Sequence, residues 1–123
     1  QELTERVESA RLREERAESA LLRAPEALRA DVLKVPHHGS RTSSTPAFLA
    51  AVAPRVAVMS AGADNRYRLP APEVEARYRA AGVCVLRTDR CGAITLETNG
   101  TWTRVKSRRC DPACAESTLR PPG

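Results

Sequence analysis

Three short runs of mostly β-branched and other apolar residues constrain this chain more than any other feature. They are Val32-Leu-Lys-Val35, Val56-Ala-Val-Met-Ser60 and Val83-Cys-Val-Leu86. Each is too short for a helix and bounded by turn-forming residues, so each reads as a strand. The second is apolar almost throughout, as expected of a strand covered on both faces. Helical patterns separate them. Thr45-Pro46 has the form of an N-cap followed by proline at the first helical position, opening a helix over residues 46–53. Pro72 opens a second helix with Val74 and Tyr78 on one face, closed by Gly82. The order is helix, then strand-helix-strand-helix-strand, then a hairpin, which is α/β layering.

The flanks differ in character. Over residues 3–28, apolar or small residues recur in steps of four and three (Leu3, Val7, Ala10, Ala17, Leu21, Ala24, Leu28), with Glu14 breaking the pattern. This predicts an amphipathic helix with one narrow apolar face for the core, ended by Pro25. Residues 93–97 and 101–106 flank Asn99-Gly100, a type I′ hairpin signal. Residues 108–123 show no periodicity and read as a flexible tail.

Composition adds limited constraints. Aromatics make up 3% of the 123 residues, so large core anchors are few: Phe48, Tyr67, Tyr78 and Trp102. The formal net charge of +5 favours encounter with polyanions, although a genome that prefers arginine to lysine would produce the same excess. No run approaches transmembrane length and no signal region is visible, which fits a piece of a longer protein. Of the four cysteines, Cys110 and Cys114 could close a small loop in an oxidising compartment. Cys84, in an apolar run, is expected as a buried free thiol.

The chemistry concentrates after the first strand, in Lys34-Val-Pro-His-His-Gly-Ser-Arg-Thr-Ser-Ser44, which holds both histidines of the chain. Loops at the carboxyl ends of strands are where layered α/β folds bind ligands. Neighbours on extended backbone point to opposite sides, so His37 and His38 converge only if the chain turns, which Gly39 permits. His38 is the preferred metal ligand, and His37 a supporting ligand or a contact to substrate. A metal-bound imidazole needs an acceptor for its other ring nitrogen. Two histidines do not complete a zinc site, which takes three or four protein ligands.

Residues 30–44 together with Phe48-Leu49, Pro54-Arg-Val-Ala-Val58, Ser60, Asn65-Arg-Tyr67, Arg87-Thr-Asp89 and Gly92-Ala-Ile94 resemble the C-terminal part of a metallo-β-lactamase-like domain. The version most similar is that of ComEC-type DNA-uptake competence proteins. The resemblance implies the second half of an αββα sandwich, preceded by the amphipathic helix (residues 1–29), spanning residues 30–107 and ending in the hairpin. It implies a two-metal hydrolase site, with zinc or manganese held mostly by residues upstream of Gln1. Within this chain it implies His38 and His37 as metal ligands, with His37, Asn65, Tyr67 and Asp89 in catalytic positions. Ser40, Arg41, Ser43, Ser44 and Arg66 are implied as substrate contacts; Arg41 and Arg66 read equally well as solvated surface arginines. The family pattern Asn-x-Tyr-Gly-His-Pro departs here to Asn65-Arg-Tyr67-Arg-Leu69-Pro70, with leucine in place of a histidine.

The implied function is metal-dependent phosphodiester hydrolysis within a membrane competence protein that handles DNA during transformation. The domain would lie on the periplasmic or outer side of the inner membrane, with DNA as partner. Two alternatives are a catalytically degenerate nucleic-acid-binding or structural module of the same fold, and a soluble metallo-hydrolase acting on another ester. Half a sandwich alone would leave one sheet face uncovered.

Overall fold

In a computed structural model, the backbone is described for residues 2–62, 68–116 and 119–120, and the side chains from residue 12 onward. Three strands, β1 (Val32–Lys34), β2 (Val56–Met59) and β3 (Cys84–Arg87), form a parallel sheet in the order β1-β2-β3. Val32, Val56 and Cys84 are aligned across it. The crossovers are α2 (Pro46–Val52) and α3 (Pro72–Ala80), as the helical patterns between the apolar runs require. Thr45 caps α2 by accepting from the Phe48 amide at 3.2 Å. Val74 and Tyr78 of α3 are fully buried.

The period-2 alternation of the strands sorts their side chains onto two cores. Leu33, Val35, Ala57, Met59 and Val85 face Leu49 of α2 and Val74 and Tyr78 of α3. Val32, Val56, Val58, Cys84 and Leu86 face the opposite way, toward Ile94, Val105, Cys110, Ala115 and Leu119. The second face is therefore covered from within this chain. Its cover is the antiparallel hairpin of β4 (Ile94–Thr98) and β5 (Thr103–Ser107), together with the segment that follows.

Of residues 108–123, expected from the sequence as a flexible tail, the described ones are 108–116 and 119–120. A one-turn helix, α5 (Ala113–Glu116), packs against β5, with Ala115 and Leu119 buried. The Thr103 amide donates to the Arg120 carbonyl at 2.7 Å. The cysteines are also paired differently from the sequence expectation. Cys84 bonds Cys114 and Cys91 bonds Cys110, so Cys84 is no free thiol and Cys110 does not close a loop with Cys114. Cys84 and Cys91 lie in the second core and hold the chain terminal to β5 over it. Aperiodicity marked a strap whose position is set by cross-links rather than by an amphipathic face.

Two further expectations change. The hairpin loop has four residues, because Thr98 pairs with Thr103. The Asn99 carboxamide oxygen accepts from the Thr101 and Trp102 amides at 2.9 and 3.0 Å, so the side chain organises the turn and a two-residue type I′ turn does not form. The long helix, α1 (Glu2–Leu21), exists, but its described apolar positions look outward: Ala17 is exposed and Leu21 is 50% exposed. Glu18 is buried instead, at 5% exposure. Among the described residues no helix is long and apolar enough to cross a membrane.

Candidate functional site

The carboxyl ends of β1, β2 and β3 meet along one edge of the sheet. His37 and His38 follow β1, Ser60 follows β2, and Thr88 and Asp89 follow β3. Side chains tie these three ends together. His38 Nδ1 donates to the Ser60 carbonyl at 2.8 Å, since a carbonyl can only accept. Thr88 Oγ1 accepts from the Ala61 amide at 2.8 Å and donates to the Ala61 carbonyl at 3.0 Å.

The histidine pair adopts an unusual backbone. His37 (φ 52°), His38 (φ 55°) and Gly39 (φ 81°) are consecutive left-handed residues. Glycine accepts that region freely, whereas each histidine there costs of order 1–3 kcal/mol. The surroundings hold the turn: the Ser40 amide donates to the His37 carbonyl at 3.1 Å, and the Ala71 amide to the Gly39 carbonyl at 2.9 Å. A Cβ on Gly39 would stand 2.6 Å from Pro70 Cβ. The turn between extended residues expected from the sequence is thus present, and it leaves both imidazoles exposed. His38 has its Nδ1 engaged on a backbone carbonyl and its Nε2 directed away from that bond, the arrangement that orients a metal-binding imidazole.

Two carboxylates of α1 meet the loop, and the sequence did not single them out as site residues. Ser40 and Thr42 hydroxyls both donate to Glu14 Oε2, and Glu14 Oε1 lies 3.8 Å from His37 Nδ1. Glu18 accepts from the Ser44 and Thr45 amides at 2.6 Å each. The legible signal was the break that Glu14 makes in the apolar repeat, with Glu18 four residues on and therefore on the same helix face. These amides precede α2, where helical geometry provides no acceptor. Burial of Glu18 satisfies them.

The remaining predicted residues divide between these networks and others. Ser43 is buried, its hydroxyl donating to the Pro36 and Ser40 carbonyls at 3.1 and 3.0 Å. Ser44 Oγ pairs with the Tyr78 hydroxyl at 2.7 Å, and burial raises the Tyr78 pKa above its ordinary value. Ser43 and Ser44 therefore stand as internal supports of the loop, turned away from solvent. Arg41 pairs with Glu73 at 2.5 Å on the surface. Asp89 is held by Arg87, with Nε to Oδ1 at 3.0 Å and Nη2 to Oδ2 at 2.5 Å. The guanidinium keeps the Asp89 carboxyl below the usual carboxylate range, and both oxygens are occupied. Glu75 flanks the same arginine at 3.2 Å. Asn65, Arg66 and Tyr67 lie outside the described residues. Leu69 directly precedes the proline that packs on Gly39.

Among the described residues, no three His, Cys, Asp or Glu side chains converge on a point that could hold a metal ion. His38 and His37 can offer imidazole nitrogens, and Glu14 a nearby carboxylate already engaged by two hydroxyls.

Comparison with known proteins gives the chain its relatives. No family model matches it, and no solved structure does. It is 49% identical over 67 residues to Competence protein ComA of Neisseria gonorrhoeae, covering 54% of this chain and 10% of the relative. It is 43% identical over 67 residues to ComE operon protein 3 of Bacillus subtilis, covering 54% of this chain and 9% of the relative. It is 37% identical over 82 residues to the uncharacterized protein YcaI of Escherichia coli, covering 67% of this chain and 11% of the relative. The chain thus spans about a tenth of the length of the curated relatives it matches. Over roughly half its residues it is related to competence proteins.

Proposed function

We propose that this chain contributes the distal edge of a metallo-β-lactamase-type hydrolase domain in a competence protein, acting on the phosphodiester backbone of DNA. The observation that carries the reading is the His38–Ser60 contact at the carboxyl edge of the sheet, with His37 beside it on the same left-handed turn. It orients one imidazole as a donor and leaves Nε2 available. The similarity to two competence proteins supports the biological setting.

The donor set fits a zinc or manganese site only in part. His38 and His37 would hold the metal, with further donors supplied by the rest of a parent chain. A divalent cation there would lower the pKa of a bound water and stabilise charge developing on a phosphodiester oxygen. What this chain's residues do is narrower. His38 is held in one tautomer by Ser60, His37 stands at the mouth of the turn, and Thr88 binds the β2 and β3 ends together. Placement in a membrane protein, facing an oxidising compartment outside the cytoplasm, accords with the two disulfides.

A second reading, a fold-retaining module without hydrolytic activity, is favoured by two observations. Leu69 stands where the family pattern has histidine, and Glu14 occupies the Ser40 and Thr42 hydroxyls. The two readings separate in the complete parent protein. Manganese- or zinc-dependent DNA cleavage, lost in His38→Ala with folding retained, supports the hydrolase. Absence of cleavage in the wild-type protein supports the second, and unchanged cleavage in His38→Ala counts against His38 as a metal ligand. The isolated 123-residue chain is expected to bind these metals weakly and to cleave nothing.

A further inference from the structure

The hairpin carries a surface that the histidine edge does not use. Along β5, Val105 is buried while Arg104 and Lys106 are exposed, so the basic residues share the face turned away from the core. The Arg108 amide continues the ladder by donating to the Ala93 carbonyl at 3.1 Å, which places Arg108 in the same alternating series. Successive members are two residues apart, roughly 6.8 Å along the strand. Trp102 precedes them, with the Arg104 guanidinium 5.7 Å from its ring centroid.

The neighbouring groups favour a net positive ridge. Glu97, opposite Arg104, pairs with Arg104 at 2.6 Å and Lys106 at 3.1 Å, so one carboxylate holds two cations side by side. Arg108 and Arg109 pair with no acid among the described residues. Arg109 is anchored through its amide to the Cys91 carbonyl at 2.9 Å, and the next residue, Cys110, is bonded to Cys91. Arg120 is brought beside the start of β5 by its carbonyl bond to the Thr103 amide. Of the acids on the strap, Asp111 is engaged by the Ala113 amide, and Glu116 lies exposed on α5.

We propose that this outward face, Trp102–Arg104–Lys106–Arg108 with Arg109 and Arg120, is a docking ridge for single-stranded nucleic acid. It rests on the reading of the chain as part of a DNA-handling protein, but uses none of the residues of the histidine turn. Evenly spaced cations follow a phosphate backbone, and one aromatic platform beside them receives an unstacked base. An acidic membrane is the less fitting partner, because the exposed Leu96 sits opposite Val105 on the other face and the ridge offers one apolar group for insertion.

The test uses the 123-residue chain, in which Trp102 is the single tryptophan. Titration with oligothymidylate should quench its fluorescence saturably, with affinity falling as salt rises. Arg104→Ala, Lys106→Ala and Arg108→Ala should each reduce the log–log salt slope by about 0.7. Trp102→Ala, followed by fluorescence anisotropy of a labelled oligonucleotide, should weaken binding about tenfold, and Trp102→Phe should restore most of it. The titrations are run in EDTA, where metal-dependent hydrolysis is silent, so ridge binding stands or falls apart from hydrolysis. Any of three results would overturn the proposal: no binding to oligothymidylate, an unchanged slope in the triple alanine variant, or binding to phosphatidylserine vesicles that oligothymidylate does not displace.

Discussion

His38 Nδ1 stands 2.8 Å from the Ser60 carbonyl oxygen, joining the end of β1 to the end of β2. Because the acceptor is backbone, the bond depends on the sheet register and not on the serine side chain. His38 is therefore expected as the Nδ1–H tautomer in both the wild-type chain and Ser60→Ala. Nitrogen-15 NMR of the histidine rings checks this. A protonated Nε2 at neutral pH, with bare Nδ1, would remove the structural basis for calling His38 a donor.

Glu18 is a buried carboxylate whose two oxygens each take a backbone amide, from Ser44 and Thr45. Glu18→Ala leaves both amides without their acceptor, an expected loss of about 1–3 kcal/mol for each amide that water cannot reach. Glu18→Gln keeps one accepting oxygen and should lose less. Urea unfolding curves of the two variants give the comparison.

Gly39 combines a left-handed φ of 81° with Pro70 packed where a Cβ would go. Gly39→Ala should cost roughly 1–2 kcal/mol from the backbone, and the contact with Pro70 adds overpacking of about 1–3 kcal/mol. By contrast Gly100, also left-handed but open on all sides, should show only the backbone part when changed to alanine. Thermal denaturation of the pair separates clash from conformation.

Arg87 and Asp89 make the acid limb of stability legible. Arg87 lowers the Asp89 carboxyl below its ordinary value of 3.8. A depressed folded pKa contributes stability that is fully present above the unfolded value and is lost as pH falls through the folded one. Asp89→Asn should therefore lower stability at neutral pH and flatten the loss on acidification below about pH 4. Denaturant midpoints at neutral and acid pH measure it; equal acid slopes in the two proteins would count against the ion pair.

The disulfides close segments of 30 and 19 residues, one nested within the other. Each contributes typically about 2–4 kcal/mol, and their nesting makes the pair less than additive. Reduction should lower the melting temperature and raise amide exchange in α5 and at Thr103, whose amide is bonded to the strap, before it affects β1–β3.

Much of the architecture follows from the chain read as text. Val32, Val56 and Val83 open short apolar runs bounded by turn formers, of which the second, apolar almost throughout, demands cover on both faces. Thr45-Pro46 and Pro72 mark helix starts by their own stereochemistry. These are local properties, fixed by residue type and period. The histidine turn was also visible, because Gly39 follows two adjacent imidazoles at a strand end. Tertiary structure decided the rest. Which face of α1 turns inward depended on amides at Ser44 and Thr45 that required an acceptor, so Glu18 went in while Leu21 stayed out. Cysteine pairing is a matter of proximity in space, and Cys84 met Cys114 only because the strap crosses the second sheet face. Asp89 looked available as text; its arginine partner two residues earlier had already engaged both of its oxygens.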